Sequence, residues 1–195
     1  MSDGAIEHEP PRRTFVTPAG RALDFTPLGF GSAPLGNMHR VLSEAEAEAT
    51  LEAAWDAGLR YFDTAPLYGH GLSEMRMGRV LRRRPRDAFL ISTKVGRLLE
   101  PCAPGEEASG IFKQTPHVKV AFDYSRDGVM RSFESSLKRL MLDRVDVLFV
   151  HDVDASTHGS REASEARIKE LMDSGGWAAL DELRAVGTVG AIGSA

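Results

Sequence analysis

Short apolar runs alternate with amphipathic helical stripes along most of this chain, and three of the runs end on a chemically distinctive side chain. Leu59 to Phe62 ends at Asp63, Phe89 to Thr93 ends at Lys94, and Val145 to Val150 ends at His151. A strand–helix repetition of this kind commits a chain to an α/β fold with a parallel sheet buried on both faces. The C-terminal edge of such a sheet is where polar groups gather. Tyr68 follows Asp63 within the Pro/Gly loop Thr64-Ala65-Pro66-Leu67-Tyr68-Gly69-His70-Gly71. A carboxylate, a phenol, an amine and an imidazole at neighbouring strand ends point to one proton-handling site. The pattern alone leaves a closed barrel and a doubly wound sheet equally open.

Taken in order, residues 1–12 read as a flexible leader and residues 13–195 as one domain. Arg13 to Val16 and Ala22 to Phe25, separated by Pro18-Ala19-Gly20, predict an N-terminal β-hairpin. Leu28 to Gly31 reads as the first buried strand. Its Gly29-x-Gly31 lacks the third glycine and the helix of a dinucleotide loop. Ser43 with Glu46 three residues on predicts a capping box, and Gly58 suits the position just past that helix. The second strand begins at Tyr61-Phe62. A helix over Ser73 to Arg84 then turns Met77, Val80 and Leu81 inward until Pro85 stops it, and Ala88 to Thr93 forms the third strand. Gly96 to Asp123 shows no period and reads as a long loop over a site. After Ser125 comes a helix with Val129, Met130, Phe133, Leu137, Leu140 and Met141 on one stripe. Val145 to Val150 is the fourth strand, and Asp152 to Glu165 reads as a polar loop. Trp177, Leu180, Leu183 and Val186 line the last helix, and a fifth strand starts at Thr188.

Composition narrows the class of function. A net charge of −4 gives no reason to expect nucleic acid or an anionic membrane as partner. The one basic cluster, Arg82-Arg83-Arg84 with Arg86, closes a helix, where cations complement the dipole. Cys102 is the single cysteine, which fits a reducing compartment. Met1 to Arg13 carries no apolar segment of a signal peptide, and no run reaches membrane-spanning length, so the cytoplasm is expected.

Several spaced motifs resemble the aldo-keto reductase family, closest to its aldose dehydrogenase branch, which oxidises sugars such as fucose or galactose and has pyridoxal dehydrogenases as relatives. Gly58-x-Arg60-x-Phe62-Asp63-Thr64-Ala65 is similar to the family's strand-two motif, continued by Tyr68-Gly69-x-Gly71-x-Ser73-Glu74-x-x-x-Gly78. Thr93-Lys94-Val95-Gly96-Arg97 is similar to its strand-three motif. Asp123-Tyr124-Ser125-x-Asp127-Gly128-x-x-Arg131-Ser132 and His151-Asp152-Val153-Asp154 are similar to segments of that branch. The resemblance implies a (β/α)8 TIM-type barrel of which about the first five βα units are present. It further implies an oxidoreductase using NADP or NAD on a sugar or small aldehyde, and a catalytic tetrad at Asp63, Tyr68, Lys94 and His151. Contacts to the nicotinamide end of the cofactor would come from Gly31, Ser32 and Asp63.

Within that resemblance each residue has a part. A phenol, with an ordinary pKa of about 10, is a poor base at neutral pH, and a nearby ammonium favours its ionised form. Tyr68 is thus the expected proton donor and acceptor, Lys94 its electrostatic partner and Asp63 the anchor of Lys94. His151 would hydrogen-bond and orient the substrate oxygen.

Two other readings compete. His151, Asp152, Asp154 and His158 are ligand types for zinc or manganese in a barrel hydrolase. However, strand one ends Gly29-Phe30-Gly31-Ser32 without a His pair and no H-E-x-x-H spacing follows, so no metal is expected. A complete barrel needs eight strands and about 250 residues. Five strands in 195 residues predict either a fragment of a longer protein or a barrel completed by another chain. Such a piece is expected to bind nicotinamide nucleotide weakly or not at all by itself, as a non-catalytic module would.

Overall fold

The computed structural model describes residues 11–107 and 110–195, and the leader expected over residues 1–12 lies outside them as far as residue 10. Fifteen helices and strands follow in order among the described residues. They are β1 (Arg13–Val16), β2 (Ala22–Phe25), β3 (Phe30–Gly31), α1 (Glu44–Asp56), β4 (Tyr61–Asp63), α2 (Leu72–Leu81), β5 (Leu90–Val95), β6 (Arg97–Pro101) and β7 (Val118–Phe122). The remaining elements are α3 (Arg126–Leu140), β8 (Val145–Val150), α4 (Ala155–His158), α5 (Arg161–Asp173), α6 (Gly176–Ala185) and β9 (Val189–Ser194), to which short 3-10 turns at Ala33–Gly36 and Arg86–Ala88 are added.

The central sheet has five strands in the order β3-β4-β5-β8-β9, every neighbouring pair parallel. That order never reverses along the chain. A doubly wound sheet must reverse at a switch point, so the winding is that of a barrel. Helices α1, α2, α3 and α6 pack side by side on one face. Phe62, Ile91, Val95, Leu148 and Val150 from the strands meet Leu51, Met77, Leu81, Val129, Phe133, Leu140 and Leu180 from the helices in the main core. On the other face the β1–β2 hairpin seats the fully buried Leu23 on Leu90 and Val147. The hairpin also sends Arg21 to the buried carboxylate of Asp146, which accepts from Arg86 at 2.8 Å and from the Ile91 amide at 2.8 Å.

The expected strands and helices are present, with five corrections, the first being Met141, expected on the stripe of α3 but lying just past it in a left-handed cap, 42% exposed. Leu28 is 71% exposed and only Phe30–Gly31 pairs as strand, the Leu28 carbonyl accepting from Thr26 Oγ1 at 2.7 Å in a local turn rather than entering a ladder. The stretch Gly96 to Asp123 is not a loop throughout: β6 and β7 form an antiparallel hairpin from Arg97↔Phe122 to Pro101↔Val118. The polar stretch after Asp152 holds α4 and α5, capped by Asp154 and Ser160. Val186, expected inward, lies beyond α6 and is 73% exposed. Among the described residues no helix is long and apolar enough to cross a membrane.

Candidate active site

Parallel register brings the distinctive strand ends level. Gly31 pairs with Asp63, Asp63 with Ser92, and Lys94 with Phe149, while the His151 amide donates to Val95 O at 3.0 Å. Lys94 is only 4% exposed. Its three ammonium hydrogens are matched by three acceptors, Asp63 Oδ1 at 2.9 Å, Asp63 Oδ2 at 2.8 Å and Thr64 O at 3.0 Å. A buried cation is tolerated only when it is paired and hydrogen-bonded in this way. Ser92 Oγ donates to Asp63 Oδ1 at 2.6 Å and lies 3.0 Å from the Tyr61 hydroxyl, which extends the network behind the carboxylate. Burial raises the Tyr61 pKa, so that phenol stays protonated.

Tyr68 stands in front of this pair. The Lys94 ammonium lies 5.0 Å from the centre of its ring, and the His151 imidazole meets the ring edge-on at 6.1 Å. Two glycines distant in sequence fix the loop. Gly36 and Gly69 press backbone against backbone, and a Cβ on Gly36 would come within 2.4 Å of the Gly69 amide nitrogen. Gly69 also has φ +63°, a conformation that L side chains rarely adopt. The Tyr68 loop therefore cannot lift without parting these glycines.

His151 is 4% exposed. Burial pushes its pKa down to about 4, Arg97 and Lys94 acting in the same direction and Asp152 against them. The ring is neutral at pH 7 and can donate one hydrogen bond. Of the residues expected at the cofactor, Gly31 is exposed, with open space where a Cβ would stand. Ser32 differs: its fully buried hydroxyl meets Ser73 Oγ at 2.8 Å and its amide donates to Asp63 O at 3.0 Å. Ser32 therefore ties the turn together and has no side-chain group to offer. The suggested metal cluster does not converge. Asp154 caps the Ser156 and Thr157 amides, and His158 packs its ring 4.6 Å from Phe122.

Sequence reading gave three further groups near the site no part in proton handling, Asp152 being weighed only as a metal ligand. Arg97 donates to Asp152 Oδ2 at 2.5 Å, and Asp152 Oδ2 lies 3.3 Å from His151 Nε2. Both residues sit inside the motif stretches, and that is the signal that could have found them. Phe112 packs 6.5 Å from Tyr68 and 6.4 Å from His70. It rides on a strap held by His39 N to Ile111 O at 2.7 Å and Lys113 N to Asn37 O at 3.0 Å, a pairing no local pattern foretells.

The aldo/keto reductase family profile matches residues 27–195. The chain belongs to the aldo/keto reductase family. As a member, it is 44% identical over 180 residues to a pyridoxal 4-dehydrogenase of Microbacterium luteolum, covering 88% of this chain and 52% of that protein. It is 43% identical over 180 residues to a D-threo-aldose 1-dehydrogenase of a Pseudomonas species, covering 90% and 51%. Among solved aldo-keto reductases, one from Pseudomonas aeruginosa superposes with a TM-score of 0.67 at 30% identity over 94% of this chain and 59% of that one. Another from Bacillus halodurans, in its holo form, gives 0.66 at 26% identity over 94% and 49%. The chain spans about half the length of the curated relatives it matches (52% and 51%), and its fold is the corresponding part of the (β/α)8 barrel of the solved aldo-keto reductases.

Proposed function

We propose that this chain carries the proton-transfer half of an NAD- or NADP-dependent oxidoreductase site acting on a sugar or a small aldehyde or alcohol. One observation carries the reading: a buried ammonium, fixed by Asp63, lies under the ring of Tyr68 with the neutral His151 at the ring's edge. When bound, a nicotinamide cofactor supplies the hydride chemistry. The fit at its nicotinamide end is good, because exposed Gly31 beside Asp63 leaves space where any larger residue would place a side chain. The Gly31 main chain and the edge of Asp63 would hold that end, with Ser32 supporting the turn from behind.

The residues then divide the remaining work. Tyr68 gives a proton to the substrate oxygen in reduction and takes it in oxidation. Lys94 lies 5.0 Å from the centre of that ring and supplies an electrostatic partner for the proton transfer, and Asp63 holds the lysine in place. His151, neutral, orients the same oxygen by hydrogen bonding. Positioned proton transfer is worth roughly 10²–10⁴-fold in rate. Tyr68→Phe, in the protein that carries this chain, is expected to lose turnover by that factor while keeping nicotinamide binding measured by fluorescence titration. Turnover within a few fold of the parent would remove Tyr68 from the reaction.

A further inference from the structure

Two motif residues have no part in the chemistry above, yet they are joined to it. Arg97 opens β6 and lies three residues past Lys94, on the same run of chain. Asp152 directly follows His151 and holds a left-handed backbone, φ 49°, that residues other than glycine adopt only when their surroundings enforce it. The surroundings are specific. Arg97, 8% exposed, donates to Asp152 Oδ2 at 2.5 Å with its guanidinium stacked 4.5 Å above the Phe122 ring. The Tyr124 hydroxyl donates to His151 O at 2.8 Å and lies 3.2 Å from Asp152 O. The same Asp152 Oδ2 is 3.3 Å from His151 Nε2, while the other ring nitrogen, Nδ1, is buried with no hydrogen-bond partner.

We propose that Arg97 and Asp152 are positioning residues which hold His151 in the tautomer protonated on Nε2. A bare nitrogen lone pair facing a carboxylate oxygen is repelled, whereas an N–H facing it is attracted, so Asp152 selects the Nε2–H form. Arg97 fixes the carboxylate and cancels its charge. Without it, Asp152 would draw a second proton onto the ring and turn a neutral donor into a cation. The charged and titratable groups facing the ring are Lys94 from β5, Arg97 from β6, Asp152 from the turn after β8 and Tyr68 from the loop after β4. Three of them are linked in two acid–base pairs, Asp63–Lys94 and Asp152–Arg97, both anchored on the stretch from Lys94 to Arg97. The role assigned rests on the oxidoreductase reading: the 3.3 Å contact of Nε2 with Asp152 Oδ2 is an electrostatic one rather than an aligned hydrogen bond, so the proton it favours on Nε2 stays free to be donated to the substrate oxygen.

The test is nitrogen-15 NMR of the histidine rings, six in all, in the intact protein. The parent is expected to show His151 as a single tautomer, protonated on Nε2, from neutral pH down to the acid range. Asp152→Ala is expected to average the ring between both tautomers. Arg97→Gln is expected to raise the protonation midpoint of His151 by about one pH unit or more, and Arg97→Lys, which keeps the cation, to restore it. A proton on Nδ1 in the parent, a single Nε2–H tautomer in Asp152→Ala, or an unmoved midpoint in Arg97→Gln would each overturn the proposal. The other histidine signals report whether each variant folds. If Asp152→Ala does not fold, the Arg97→Gln and Arg97→Lys pair decides alone. In steady-state assays Asp152→Ala is expected to lower kcat about tenfold with little change in KM. Ring signals need no turnover, so their failure leaves the oxidoreductase reading intact, and persistence of turnover in Tyr68→Phe leaves the tautomer result intact.

Discussion

A buried imidazole ties the stability of this protein to pH. The His151 pKa lies at about 4 in the fold and near its ordinary 6.5 in the unfolded chain. Between those values the unfolded state binds more protons, so stability rises with pH across the window and is fully present above 6.5. The full effect is at most about 3 kcal/mol. Urea midpoints measured at pH 7 and pH 4.5 are expected to differ more in the parent than in His151→Asn, and an equal drop in both would refute the assignment. A second residue, Asp146, acts through ion pairs and a backbone hydrogen bond at the other end of the strands. It is fully buried and receives Arg21, Arg86 and the Ile91 amide. Removing it strands two arginines and a buried amide, so Asp146→Ala is expected to cost about 3–5 kcal/mol in urea unfolding.

Among the elements, α1 and the Tyr68 loop show what the sequence discloses and what it withholds. The capping box at Ser43 is legible because it is local. Ser43 Oγ accepts from the Glu46 amide at 3.2 Å, and Glu46 Oε2 accepts from the Ser43 amide at 2.8 Å. Ser43→Ala is expected to cost about 1 kcal/mol in thermal unfolding and to leave turnover unchanged. By contrast, Gly36 carries no local signal, because its constraint comes from Gly69 across a loop contact. Gly36→Ala is expected to displace Tyr68 and to lower kcat more than it lowers stability. The strand-end residues Asp63, Lys94 and His151 are readable for the same reason as the cap: each ends an apolar run. The hairpin β6–β7 was hidden although Val118-Lys119-Val120-Ala121-Phe122 includes alternating residues, because Pro101, Pro104, Pro116 and Gly105 punctuate the stretch around it. Helix α5 was hidden because its buried side is thin, Ser164 and Leu171 alone being fully inside. A capping serine at 160 and a run of Glu, Ala, Arg and Lys were its available signals.

For the molecule as a whole, the two faces of the sheet are sealed by different means. Helices cover the outer face along its length, whereas the inner face is stoppered at one end by the β1–β2 hairpin through Leu23. Leu23→Ala is expected to cost about 2–5 kcal/mol in urea unfolding, from a position at the opposite end of the strands from Tyr68. The β6–β7 hairpin stands outside the five-stranded sheet altogether, leaving after β5 and rejoining where the Asp123 amide donates to Gly96 O at 3.1 Å. Its tip can therefore be exchanged with that of a relative, like a fitting on a fixed socket, without disturbing the pairing of β5 with β8. The seam that spares Arg97 is the Leu99↔Val120 pair, since two pairs nearer the root lies Arg97 with its bond to Asp152, and a graft there must bring its own counterpart of Phe112 to cover Tyr68.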